Sequence, residues 1–261
     1  MPFPEARRVI YNKNPLDHVI CQLRFPPILR VESEPPSSFQ EAIRSVFPMY
    51  AEKMEFRVDL PISNQQPIGP IQTLSRSFAN KNHEFASEDG IWKVNLTRTF
   101  LSINTSRYTR WEDLKERLQG PYEALIRVYS PAFFTRVGLI YVDIFNRSAL
   151  GLEGTNWSEL LNPFILGLLS SPVADNVKDF ETAYGISLSD NESRVRMVTS
   201  FVQQISTNEQ CIMIDSDFFC SKRKDLSSAM HNLDFLNSRA SRLIQWVITK
   251  RLHTAMEPQE I

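Results

Sequence analysis

The chain has 261 residues, 42% of them apolar and 23% charged, enough to bury a core without disulfide or metal staples and far from the composition of disorder. Lysine plus arginine (29) nearly cancels aspartate plus glutamate (30), which excludes a global field drawing the molecule to nucleic acid or an anionic membrane and leaves local patches for any such binding. The three cysteines, Cys21, Cys211 and Cys220, lack CxxC spacing and sit in apolar strand-like segments, the pattern of reduced core thiols in a cytoplasmic protein.

Residues 1–8 carry Pro2, Pro4, Glu5, Arg7 and Arg8 without an apolar run, unlike a signal peptide. Val19, Cys21, Leu23 and Phe25 then alternate with Ile20, Gln22 and Arg24, the period of a strand with one buried face. Pro26 and Pro27 end it. Ser38 and Glu41 have capping-box spacing ahead of a helical stripe of Phe39, Ile43, Val46, Phe47 and Tyr50. Strand character follows over 57–60, 74–85 and 92–103, with Asp89-Gly90 as a hairpin turn. Trp92, Val94 and Leu96 share a face while Leu101 and Ile103 fall on the other, which predicts a bulge near 98–100.

Thr109 and Glu112 form a second capping box before a helix carrying Trp111, Leu114, Leu118, Tyr122, Leu125 and Tyr129, with a kink expected at Gly120-Pro121. A strand over 133–145 is apolar on both faces between Val137 and Val142, apart from Gly138, as in the middle of a sheet. Asn156 and Glu159 start a helix through Leu168. That stretch, 160–174, is the most apolar in the chain, yet Asn162, Pro163, Gly167 and Pro172 break it well short of a membrane span. Three strands are expected over 179–188, 194–205 and 210–219. Asp225 caps the last long helix, in which Leu226, Ala229, Leu233, Leu236, Ala240, Leu243 and Val247 keep a three-four rhythm.

The order strand, helix, antiparallel strands, long helix occurs twice, predicting an α+β fold of two pseudo-repeated units, 1–131 and 132–261. The layout is similar to helix-grip and TATA-binding-protein-like folds, in which a curved antiparallel sheet wraps a long helix. The order does not choose between one continuous sheet and two lobes.

Several segments resemble one family. They are Asn14-Pro15-Leu16 with Val19-Ile20-Cys21-Gln22-Leu23-Arg24-Phe25-Pro26-Pro27-Ile28-Leu29, then Tyr108-Thr109-Arg110-Trp111-Glu112, then Arg136 to Val142, then Ile214-Asp215-Ser216-Asp217, and Met230-His231 on the last helix. Together they resemble a sporadically distributed family of bacterial and archaeal proteins of unknown function. The resemblance implies no catalytic residue. It implies an accessory-gene distribution, as in toxin–antitoxin or phage-defence loci, and an asparagine at position 143, where this chain has Asp143.

Few constellations carry chemistry. Asp215 and Asp217 share a strand face about 7 Å apart, a spacing that can hold a divalent ion but equally suits a salt-bridged face. His18, His83, His231 and His253 have no ligand spacing, and no GxSxG, GxGxxG or P-loop string occurs. No cofactor is expected. Arg98, Arg107 and Arg110, with Lys93, Tyr108 and Trp111, form the best basic-aromatic cluster, the mixture that grips phosphates and stacks bases. Met230, Ile244, Ile248 and Leu252 add a second apolar stripe to the terminal helix, suited to self-association or another protein. The leading expectation is a non-enzymatic protein-interaction module, a regulator or neutralising partner in an accessory locus. Its alternatives are a small-ligand-binding cavity lined by Tyr141, Phe145 and Phe201, and a nucleic-acid-binding or metal-dependent nucleic-acid-processing protein.

Overall fold

The computed structural model describes residues 2–55 and 80–260. The strand expected over 57–60 and the first part of the one expected over 74–85 lie outside the described residues. The chain begins with β1 (Val9–Tyr11) and β2 (Leu16–Arg24), then α1 (Arg30–Ser33) and α2 (Ser37–Ile43). Next come β3 (Met49–Glu55), β4 (Asn80–Ala86), β5 (Trp92–Leu96), β6 (Phe100–Thr105) and the 19-residue helix α3 (Trp111–Tyr129). The remainder is β7 (Arg136–Phe145), α4 (Trp157–Leu160), α5 (Pro163–Leu166), β8 (Glu181–Ser187), β9 (Ser193–Gln204), β10 (Glu209–Cys220), α6 (Ala229–Val247), α7 (Lys250–Ala255) and β11 (Pro258–Glu260).

Nine strands form one antiparallel sheet in the order β3-β4-β5-β6-β2-β7-β10-β9-β8, and β1 pairs with β11 as a separate ribbon. The sheet is therefore continuous, and β7 lies inside it between β2 and β10. Alternation along each strand is in phase across the sheet. Phe85, Val94, Ile103, Cys21, Leu139, Phe218 and Val195 stand opposite one another on seven successive strands, and all are fully buried. One register slip would turn a strand's whole set outward, so this row fixes the register. The neighbouring row, Asn104, Ile20, Ile140, Asp217 and Arg196, faces the other way and is mostly polar.

The apolar rows bury against the helices. From α6, Leu233, Leu236, Ala240, Leu243 and Val247 enter the core at three-four spacing, and from α3 Leu114, Leu118 and Leu125 do the same. Among the described residues no helix is long and apolar enough to cross a membrane.

Local expectations differ from the structure in several places. Residues 97–99 are not a bulge but a tight turn between two strands: the Thr97 N–H donates to the Phe100 carbonyl, and Leu96 then faces Leu101. The phase change is the chain reversing. The turn at Asp89-Gly90 does form, with Gly90 at φ 70°, where a side chain would be strained. Neither capping box forms. Pro36 precedes α2, so Ser38 already lies inside the helix, and Arg110 rather than Thr109 occupies the cap of α3. That helix continues through Pro121 as one element.

The helix expected from Asn156 to Leu168 splits into α4, α5 and a 3-10 turn, as its Pro163 and Gly167 dictate. Asp225 precedes a 3-10 turn without a side-chain cap. The terminal helix ends at Val247, where Ile248 turns extended and Thr249 caps α7 by accepting from the Leu252 N–H.

Candidate functional site

A chamber of about 120 Å³ lies beside the C-terminal half of α6. Its floor is the helix-facing side of β7 and β10. Tyr141 stands opposite Val19 and Ser216, and Asp143 opposite Leu16 and Ile214. Its roof is α6, through Asn237, Ala240, Leu243, Ile244 and Val247. The third wall is the ribbon strand β1 with Tyr11, and Tyr108 and Trp111 close the side leading into α3. Arg8, Asn14, Thr109 and Arg110 are its exposed residues and form the rim.

The walls are tied to one another by hydrogen bonds. Tyr11 Oη and His253 Nδ1 are 2.8 Å apart, tying β1 to α7. The Tyr141 hydroxyl donates to Asn237 Oδ1 at 3.0 Å, tying β7 to α6. Tyr108 packs edge-on against Tyr141, with ring centres 5.9 Å apart, and its hydroxyl bonds to that of Tyr141. Burial pushes all three phenols up, and the Asp143 carboxyl adds to the rise at Tyr11 and Tyr141. Each therefore stays a neutral hydroxyl across the physiological range.

Asp143 is the exception to this satisfaction. It is 5% exposed, and among the described residues no hydrogen bond or ion pair reaches its carboxyl. Burial alone raises it from 3.8 to about 7. Among the described residues it is also the only acid lining the chamber. The arginines at the rim offer no compensation: Arg8 pairs with Glu112 at 2.5 Å and Arg110 with Asp113 at 2.8 Å. A buried carboxyl without a partner costs several kcal/mol when ionised, and most such groups in folded proteins are paired.

The sequence-derived candidates are only partly brought together. Arg110, Trp111 and Ile244 border the chamber. Trp111 is no stacking platform, because it is buried and its indole N–H donates to Asp234 Oδ1 at 2.7 Å. Arg98 pairs with Glu32 in the turn after β5, and Arg107 is exposed on the loop after β6. Ile248 and Leu252 are not on α6 and are buried, while Met230 and Ile244 pack against the core. The second apolar stripe is thus largely covered within the chain.

Asp215 and Asp217 do share a face, the one turned away from the helices. Asp217 accepts two hydrogen bonds from Arg136, at 2.5 and 2.7 Å, and half-burial followed by the neighbouring Asp217 raises Asp215. Asp217 is thus engaged as a salt-bridge partner on that face. Of the cavity residues expected from sequence, Tyr141 lines the chamber, Phe145 is core, and Phe201 packs on Phe180 elsewhere.

Sequence reasoning noted Asp143 only as a departure from the resembled family and Ser216 only within a family segment, and it passed over Tyr11 and Asn237. One signal was available: Asp143 is the single charge between Val137 and Phe145, in phase with Tyr141 and Phe145 on the buried face. No protein-family model matches this chain, and no curated protein matches it.

Proposed function

We propose that this protein binds a small ligand in the chamber between its sheet and α6. The observation that carries the reading is Asp143, a carboxyl on a residue only 5% exposed, facing a cavity and lacking a hydrogen-bond or ion-pair partner among the described residues. Retaining such a group is costly to stability, and an acid perturbed by burial and facing a cavity has the physical character of a functional group. The chamber also has the usual make-up of a ligand site, a mainly apolar lining with a few convergent polar groups.

The layout supports the same reading. The chain is taken as two units, 1–131 and 132–261, each a strand, helices, antiparallel strands and a long helix, which join along β2 and β7. In the second unit α6 is gripped by its sheet, and the chamber is the space that grip leaves open.

Native mass spectrometry of the protein isolated without denaturation tests this. A mass above that of the bare chain, lost on unfolding, is expected. A protein that isolates at its bare mass, with a thermal midpoint unmoved by a panel of small amines, alcohols and acids, overturns the reading.

A further inference from the structure

We infer that the ligand is a small organic cation, a primary ammonium on a short apolar body, held by the Asp143 carboxylate and walled by the rings of Tyr11, Tyr108 and Tyr141. This rests on the ligand-binding reading above and adds the chemical class. Charge comes first. Among the described residues the chamber has one carboxyl, and its two arginines stand at the rim paired with other acids, so the missing counter-charge is what a ligand supplies. An anion would meet Asp143 at the floor, and the two arginines at the rim are each neutralised by an acid of α3.

Donor chemistry separates an organic cation from a metal ion. Divalent cations of the calcium type take roughly six to eight oxygen ligands, usually with several carboxylates. The chamber offers one carboxylate and three phenols that burial keeps protonated. Aromatic rings, in contrast, favour an ammonium through their negative faces. The rest of the lining, Val9, Ile10, Leu16, Ile214, Phe218 and Leu243, is hydrocarbon and suits an aliphatic body.

Size follows from volume. A cavity of about 150 Å³ accommodates benzene, so about 120 Å³ holds roughly half a dozen heavy atoms. The groups facing Asp143 are Tyr11 from β1, bonded to His253 of α7, and Tyr141 from β7, bonded to Tyr108 and close to the Cys21 thiol of β2. Burial pushes up every one of these phenols and the thiol. Asp143 is the acid of the chamber whose protonation changes between pH 5.5 and 8, and Asp143→Asn isolates its share of the pH response.

The test compares n-butylammonium with 1-butanol, equal in size and differing in charge, by calorimetric titration of the whole chain. At pH 8 the ammonium is expected to bind about tenfold or more tightly than the alcohol, the scale of a charge-assisted hydrogen bond. Lowering the pH to 5.5 is expected to weaken the ammonium by about tenfold or more as Asp143 takes up its proton, and to leave the alcohol unchanged. Asp143→Asn is expected to erase the preference while retaining the alcohol. Equal binding of the two probes, or a preference that survives Asp143→Asn or the change of pH, overturns the cation inference and leaves the ligand-binding reading standing. Failure of both probes and of benzene to enter refutes the ligand-binding reading itself, and the inference with it.

Discussion

Replacing Asp143 with asparagine keeps the shape and removes the charge, so it isolates the cost of the unpartnered carboxyl. The rise from 3.8 to about 7 means that the folded chain holds a proton which the unfolded chain has released. Each tenfold change in the ionisation constant is worth about 1.4 kcal/mol, giving about 4 kcal/mol in all. The residue is almost wholly buried, so little of this is screened by solvent. The sign is that of a raised acid. Its contribution to stability is most favourable below pH 4, where both states are protonated, declines as pH rises from about 4 to about 7, and is constant above that. Asp143→Asn should therefore match the parent near pH 4 and exceed it by up to about 4 kcal/mol at pH 8, a rise in melting temperature of the order of 10 °C. Urea unfolding followed by tryptophan fluorescence at several pH values measures the difference, in which all other titrating groups cancel. A difference that does not change with pH would refute the reasoning, because the carboxyl would then be solvated or paired.

Other predictions concern the frame around the chamber. A methyl group on Gly138 would meet Arg136 Nη1 at 2.6 Å, within the guanidinium that bridges Gln22 and Asp217. Gly138→Ala should cost about 1 kcal/mol or more in the parent and much less in an Arg136→Ala background, a coupling that a double-mutant cycle on urea stability would read. Asp234 accepts from Trp111 on α3 and from Lys115 at 2.8 Å. Its replacement by alanine should cost about 1–2 kcal/mol, half-exposure limiting the ionic part, and should alter Trp111 fluorescence. Phe85 is fully buried against Phe39 and Tyr50, so Phe85→Ala should cost about 3–5 kcal/mol by denaturant titration.

The sequence announced most of the sheet because alternation is local: the phase of Val19, Cys21 and Leu23 or of Val195 and Met197 can be read within a few residues. Turns were less legible. A reversal at Thr97 and a bulge both shift the phase by one, and only the pairing of Leu96 with Leu101 separates them. The capping boxes misled because Ser38 and Thr109 satisfy a spacing rule that the Pro35-Pro36 entry and the extended Arg110 override. At the chamber the limit was distance along the chain. That Asp143 is charged and in phase with the core was visible. That Leu16 and Ile214 flank it, offering no donor, depends on strands far apart in sequence.

The ribbon of β1 and β11 joins segments from opposite ends of the described chain, yet one of them forms a wall of the chamber. Backbone bonds running on through Asn12 and Lys13, the Tyr11–His253 bond and exposed ion pairs such as Arg7–Glu260 secure it, whereas the sheet below rests on rows of fully buried side chains. Contacts between remote segments repay their ordering entropy only after the intervening structure exists. The compartment is accordingly expected to be completed after the sheet beneath it and to open before that sheet during partial unfolding. Amide exchange at Ile10 and Tyr11 should outpace exchange at Leu139 and Tyr141, and an occupant should slow the former far more than the latter.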